Sequence, residues 1–208
     1  MKEDVMHDLE NPGVVPVIRL NTGEKLFPLV EALEQGGLRA FELTMTMPSA
    51  PELLSACRKR FPSLRFGMGT VTNGKDSRAA LSHGAEFLVS PFPAFEALET
   101  ARGISSDPLF LMGAFTPYEV RQAYEAGADY VKIFPLNLCG PGYLRDLLGP
   151  MPYLKLFPTG GIGLDEIEKI FACGARGCGV GGAIFDSGLI ETDRSEEHTS
   201  ELQSRLHL

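Results

Sequence analysis

Two ionisable residues interrupt apolar runs in this chain, and both are of types that do carbonyl chemistry. Lys132 lies inside YVKIFP and Glu42 inside AFELT. If both runs are β-strands, alternation sends Val131 and Ile133 to one face and Lys132 and Phe134 to the other. In the same way it separates Ala40, Glu42 and Thr44 from Phe41 and Leu43. An ammonium held among apolar side chains is costly unless it is paired or gives up its proton. Desolvation favours the neutral amine, the nucleophile that attacks a carbonyl carbon and forms an imine. The competing reading of Lys132 is a buried salt bridge. Glu42 likewise reads either as the lysine's ion-pair partner or as a general base with a raised pKa that relays protons, and the two roles are compatible. A pair of ionisable groups aimed at one space is harder to explain as structure than either alone, since buried ion pairs seldom improve on apolar packing.

Glycine pairs stand at two further strand ends. FPTGGIG precedes the helical segment LDEIEKIFA, and GVGGAIF ends the last apolar run. Backbone amides at Gly160, Gly161, Gly181 and Gly182 can cradle a phosphate, helped by the partial positive charge of a helix N-terminus. Tight turns are the alternative. Thr159, beside the first pair, offers a hydroxyl to a substrate carboxylate. Thr70 follows GMG at another strand end, where it either orients a small polar substrate or caps a helix. Arg19 closes VVPVIR, and its planar fork suits a carboxylate or a phosphate. A solvated surface arginine accounts for it equally well.

These residues need a frame that brings strand ends together. Eight apolar runs of strand type alternate with helical segments: VVPVI, AFELT, RFGMG, EFLVS, LFLMG, YVKIFP, LKLFP and GCGVGG. They recur at roughly two-dozen-residue intervals, about the length of a strand, a turn and a covering helix. QGGLRA, SHGAEF, EAGADY and ACGARG each put Gly where a helix C-cap needs positive φ. The pattern predicts an α/β fold, a closed parallel (β/α)8 TIM barrel preceded by a short N-terminal helix. An open doubly wound sheet shares much of the pattern, but no GxGxxG appears. In a barrel, chemistry sits at the C-terminal ends of strands.

The 208 residues fit one domain, and a net charge of -8 without a basic run argues against nucleic acid as a partner. MKEDVMHDLENPG lacks the apolar stretch of a secretory signal or membrane anchor, so a cytoplasmic location is expected, with no membrane association. Cys57, Cys139, Cys173 and Cys178 form no CxxC pair and read as reduced, mostly buried thiols. The four histidines are scattered, and no metal site is expected.

Taken together, VVPVIR, GGLRAFELTMTMPSA, GMGTV, FLVSP, GADYVKIFP, LKLFPTGGI and GVGGAIF resemble the 2-dehydro-3-deoxy-phosphogluconate and 4-hydroxy-2-oxoglutarate aldolases, from about Met1 to Glu191. The resemblance implies reversible cleavage of 2-dehydro-3-deoxy-6-phosphogluconate to pyruvate and glyceraldehyde 3-phosphate, with no metal and no organic cofactor. It carries the Schiff-base lysine onto Lys132 and the proton shuttle onto Glu42. Thr70 and Thr159 match positions near the pyruvate moiety, the four glycines match phosphate loops, and Pro91 and Phe134 match pocket walls. A homotrimer is implied. Two positions depart from the pattern: Thr46 stands where many members have arginine, and Ala183 where they have serine. Both departures weaken phosphate or carboxylate recognition more than imine chemistry. Two other functions share the same frame. One is a phosphosugar isomerase or synthase in which Lys132 is only electrostatic, and the other is a non-catalytic phospho-ligand-binding barrel.

After GLIETD the pattern stops. RSEEHTSELQS matches the in-frame translation of a common sequencing-adapter oligonucleotide, so the barrel domain is assigned to residues 1–193 and the tail from Arg194 onward is expected to be non-native. A polar helical tail is the alternative. On the first reading the natural protein continues with a last helix that is missing here.

Overall fold

The structure is a computed structural model, and it describes residues 2–182. The domain boundary at residue 193, the tail beyond it, the last helix and Ala183 lie outside the described residues. Among the described residues seven parallel strands are formed: β1 (Val14–Ile18), β2 (Ala40–Thr44), β3 (Arg65–Gly69), β4 (Phe87–Val89), β5 (Leu109–Ala114), β6 (Tyr130–Ile133) and β7 (Cys178–Val180). They bond in the order β6-β5-β4-β3-β2-β1-β7. The first strand therefore lies between the second and the last, as a sheet curling back toward its own edge requires.

Between the two sheet edges, β6 and β7, runs the 155–159 segment, most of which belongs to the LKLFP run (154–158) read from sequence as a strand. It makes only isolated bridges, Val131 with Leu156 and Thr159 with Gly179. Its main chain still bonds to both sides. Phe157 N donates to Val131 O at 2.9 Å, Thr159 N to Ile133 O at 2.9 Å, and Gly179 N donates to Pro158 O at 2.9 Å. Pro158 has no N–H to give, which leaves the ladder incomplete on the β7 side.

Helices α2 (Leu26–Gln35), α3 (Ala50–Arg60), α4 (Gly74–Ser82), α5 (Phe95–Ile104), α6 (Pro117–Glu125), α7 (Gly142–Leu148) and α8 (Ile167–Ala172) follow the strands. Gly37, Gly84, Gly127 and Gly174, the four expected helix stops, all take φ between 90° and 96°, where a Cβ would be strained. The outward strand residues Phe41, Leu43, Phe66, Met68, Phe110, Met112, Val131 and Ile133 pack with the helices into the main core.

Inward residues form a second, separate cluster. Val15, Ala40, Phe87, Val89, Leu109, Leu111, Tyr130 and Phe157 fill the space inside the sheet, and Val5 and Leu9 of α1 (Lys2–Glu10) close it from the N-terminal ends of the strands. Polar contacts tie α1 in place. Asp8 pairs with Arg65 at 2.7 Å, Lys2 with Asp129 at 2.6 Å, and the Tyr130 hydroxyl donates to Glu10 at 2.7 Å. Among the described residues no helix is long and apolar enough to cross a membrane.

Candidate active site

Above this apolar plug, toward the C-terminal strand ends, the inward positions become polar or lose their side chains. Strand register sets Glu42 between Val17 and Gly67, and Lys132 beside Gly113. Glu42 is 4% exposed, Lys132 5%, Thr44 1% and Thr159 7%. The neighbouring glycines make this layer possible. A Cβ on Gly69 would overlap Oε1 of Glu42, and one on Gly179 would lie 2.7 Å from Oγ1 of Thr159. Sequence reading passed over these glycines, although their spacing in RFGMG and GCGVGG is the period-2 signature of one strand face.

Burial holds the Glu42 carboxyl above the usual carboxylate range. The charge of Lys132, and after it that of Arg19, pulls the other way. A carboxyl that burial makes more proton-avid in spite of two nearby cations is a candidate proton carrier. Among the described residues no hydrogen bond reaches Glu42. The amine of Lys132 stands 5.1 Å from the ring centroid of Phe134, two residues along the same face, where the ring's negative face stabilises an ammonium. Arg19 is exposed at the end of β1.

Around this centre the expected binding residues occupy the strand ends. Thr70 has φ 58°, which is strained for a β-branched residue. It does not cap the next helix. Asn73 does so, with its Oδ1 accepting from Asp76 N at 3.0 Å. Gly160 and Gly161 take φ 99° and 67°, and a Cβ on Gly161 would lie 2.6 Å from the Cβ of Asn137. The left-handed backbone and the close packing both require glycine here. Among the described residues no hydrogen bond uses the amides of Gly160, Gly161, Gly181 or Gly182. The helix N-terminus contributes less than expected, because the Glu166 carboxylate already accepts from Gly163 N at 2.9 Å. Thr46 is exposed, with its hydroxyl 2.9 Å from that of Thr44, which in turn donates to Ile18 O at 3.4 Å.

Pro91 begins the loop after β4, and the sequence reading missed what fixes it. Ser90, fully buried, donates from Oγ to Phe92 O at 2.8 Å and accepts from Gly113 N at 3.0 Å. The sequence does not mark this serine, since its partner Gly113 is brought to it by strand pairing.

The chain is similar to known proteins in both sequence and fold. The family described as KDPG and KHG aldolase matches residues 5–200. The 2-dehydro-3-deoxy-phosphogluconate aldolase of Pseudomonas aeruginosa is 32% identical over 160 residues, covering 76% of this chain and 72% of that protein. The KDPG aldolase of Legionella pneumophila, with pyruvate captured at low pH as a covalent carbinolamine intermediate, has a TM-score of 0.84 at 28% identity, over 92% of this chain and 93% of that one. The 2-keto-3-deoxy-6-phosphogluconate aldolase of Zymomonas mobilis ZM4 with 3-phosphoglycerate has a TM-score of 0.84 at 26% identity, over 100% and 97%. This chain belongs to the KDPG and KHG aldolase family.

Proposed function

We propose that the chain is a class I aldolase cleaving 2-dehydro-3-deoxy-6-phosphogluconate, or a related 4-hydroxy-2-keto acid, to pyruvate and an aldehyde such as glyceraldehyde 3-phosphate. Its frame is a (β/α)8 barrel with the 155–159 segment as seventh stave, a reading supported by the main-chain bonds of that segment to both β6 and β7. The observation that carries the proposal is the burial of Lys132 and Glu42 in one inward layer at the C-terminal strand ends, with the carboxyl's proton affinity raised.

In this reading Lys132 Nζ adds to the C2 carbonyl, and the carbinolamine loses water with a proton from Glu42. The iminium takes up the electron pair of the C3–C4 bond as it breaks, while the C4 hydroxyl proton passes to the Glu42 carboxylate and the aldehyde leaves. Glu42 returns that proton to C3 of the enamine. Water then adds to the resulting iminium, giving up a proton to Glu42, and release of pyruvate restores the amine. Thr70 and Thr159 orient the pyruvyl carboxylate, Arg19 adds a cation near it, and Pro91 and Phe134 wall the site. The amides of Gly160, Gly161, Gly181 and Gly182 bind the phosphate, consistent with the 3-phosphoglycerate carried by the Zymomonas neighbour. The functional unit is a homotrimer, which sedimentation velocity tests.

Comparing kcat/KM for phosphorylated and unphosphorylated substrates tests the assignment. Charge-assisted bonds to the phosphate predict a preference of about 10- to 100-fold for the phosphorylated one. Equal values would contradict the phosphate role of the glycine loops, and absent cleavage of both would contradict the aldolase itself.

A further inference from the structure

We infer that Ser90 is a positioning residue, a buried staple that holds the Pro91–Phe92 peptide against the catalytic lysine's neighbour strand and thereby shapes the space in which the imine forms. The inference rests on Lys132 being the imine-forming residue.

Three observations carry it. Ser90 N donates to Leu111 O at 3.0 Å, continuing the β4–β5 ladder one residue past β4. The next donor on β5, Gly113 N, bonds at 3.0 Å to the Ser90 hydroxyl instead of a main-chain carbonyl. The ladder ends there, and the chain is free to turn inward while no buried N–H is left unsatisfied. Second, the same hydroxyl donates to Phe92 O at 2.8 Å, so one oxygen fastens both the strand below and the loop above. Third, the loop fills the side-chain space that Gly113 leaves open. A Cβ on Gly113 would fall on the carbonyl carbon of Pro91 and the nitrogen of Phe92. Gly113 is the register partner of Lys132. The Pro91–Phe92 peptide thus stands where a β5 side chain would flank the lysine stem.

Ser90 touches neither substrate nor amine in this account, and its effect passes through the peptide it holds. Replacing the hydroxyl leaves Gly113 N without its acceptor and Phe92 O without its donor, and the loop drifts from the lysine. A displacement of that kind reduces the rate of the chemical step more than it weakens binding of the distant phosphate.

The experiment measures single-turnover trapping of [14C]pyruvate by borohydride on the full chain, alongside steady-state kcat and KM, for the wild type, Ser90→Ala, Ser90→Cys and Gly113→Ala. Thermal unfolding confirms that each variant is folded at the assay temperature. The expected result is a drop of tenfold or more in kcat and in the trapping rate for Ser90→Ala, with KM changed less than threefold. Ser90→Cys, which keeps a weak donor and acceptor, recovers part of the loss. Gly113→Ala, which evicts the loop with Ser90 intact, reproduces it. Folded Ser90→Ala with kcat and trapping within twofold of wild type overturns the inference. So does a Ser90→Ala chain that fails to fold, which would make the serine a stability element. If the wild type itself traps no pyruvate, the aldolase reading fails first, and the two failures are told apart.

Discussion

The two ends of the curled strand sheet are built on opposite principles. At the N-terminal end Val5 and Leu9 plug an apolar interior, Tyr130 shares a hydrogen bond with Glu10, and Arg65 pairs with both Asp8 and Glu86. At the C-terminal end a carboxyl and an amine are buried beside glycines, a threonine sits in left-handed backbone, and four glycine amides have no partner among the described residues. If the first end serves stability and the second the proposed reaction, substitutions at the two ends should separate stability from activity.

The largest separation is expected at Glu42. Glu42→Gln removes the proton relay, and kcat falls about 10²- to 10⁴-fold. Stability moves the other way. Because burial raises the folded-state pKa of Glu42, the folded carboxyl holds its proton more tightly than the unfolded one. Its contribution to stability is complete below the unfolded value near 4.5 and is lost as pH rises through the folded value. The advantage of Glu42→Gln over wild type in urea midpoint should therefore grow from acidic toward neutral pH. A gap that shrinks over that range would show that the cations, rather than burial, dominate the site.

Next comes the phosphate loop. Gly161→Ala meets both a positive φ and the side chain of Asn137, so the loop must shift. KM for the phosphorylated substrate should rise about tenfold or more, the loss of roughly one charge-assisted bond. Pyruvate trapping on Lys132 should be unchanged. If trapping falls in step with KM, the loop and the lysine are not separable and the division of labour proposed here is wrong.

Thr70 offers a smaller and more informative contrast. Glycine at this position relieves left-handed strain of about 1–2 kcal/mol but frees the unfolded chain by about 0.4–1 kcal/mol. Thermal unfolding should show Thr70→Gly as stable as wild type or slightly more so, with turnover reduced by loss of the hydroxyl. A clear loss of stability would mean the strain is not real. The smallest effect on activity is expected at the other end. Tyr130→Phe removes the bond to Glu10, lowering stability by about 0.5–3 kcal/mol while kcat stays at the wild-type level. A large fall in kcat would erase the distinction between the two ends.

How much of this was legible in the sequence follows the same division. Lys132 and Glu42 announced themselves by breaking apolar runs, and the glycine helix stops by recurring at one place in each repeat. Both signals are local. The plug was not legible, because MKEDVMHDLENPG shows few apolar residues and its meaning depends on Arg65, Asp129 and Tyr130, which lie far along the chain. LKLFP (154–158) read as a strand from its residue types, yet it makes only isolated bridges, and Pro158 withholds a donor on the β7 side. Ser90 carries no signal of its own, since its partners Gly113 and Phe92 are brought together by β-pairing and a turn.

The central claim is tested most directly by incubating the chain with pyruvate and sodium borohydride and mapping the modified peptide by mass spectrometry. The account predicts one stable pyruvyl adduct, on Lys132, and none when Lys132→Met is treated alongside a folded control. An adduct on another lysine, or no adduct under conditions that label a known class I aldolase, would contradict it.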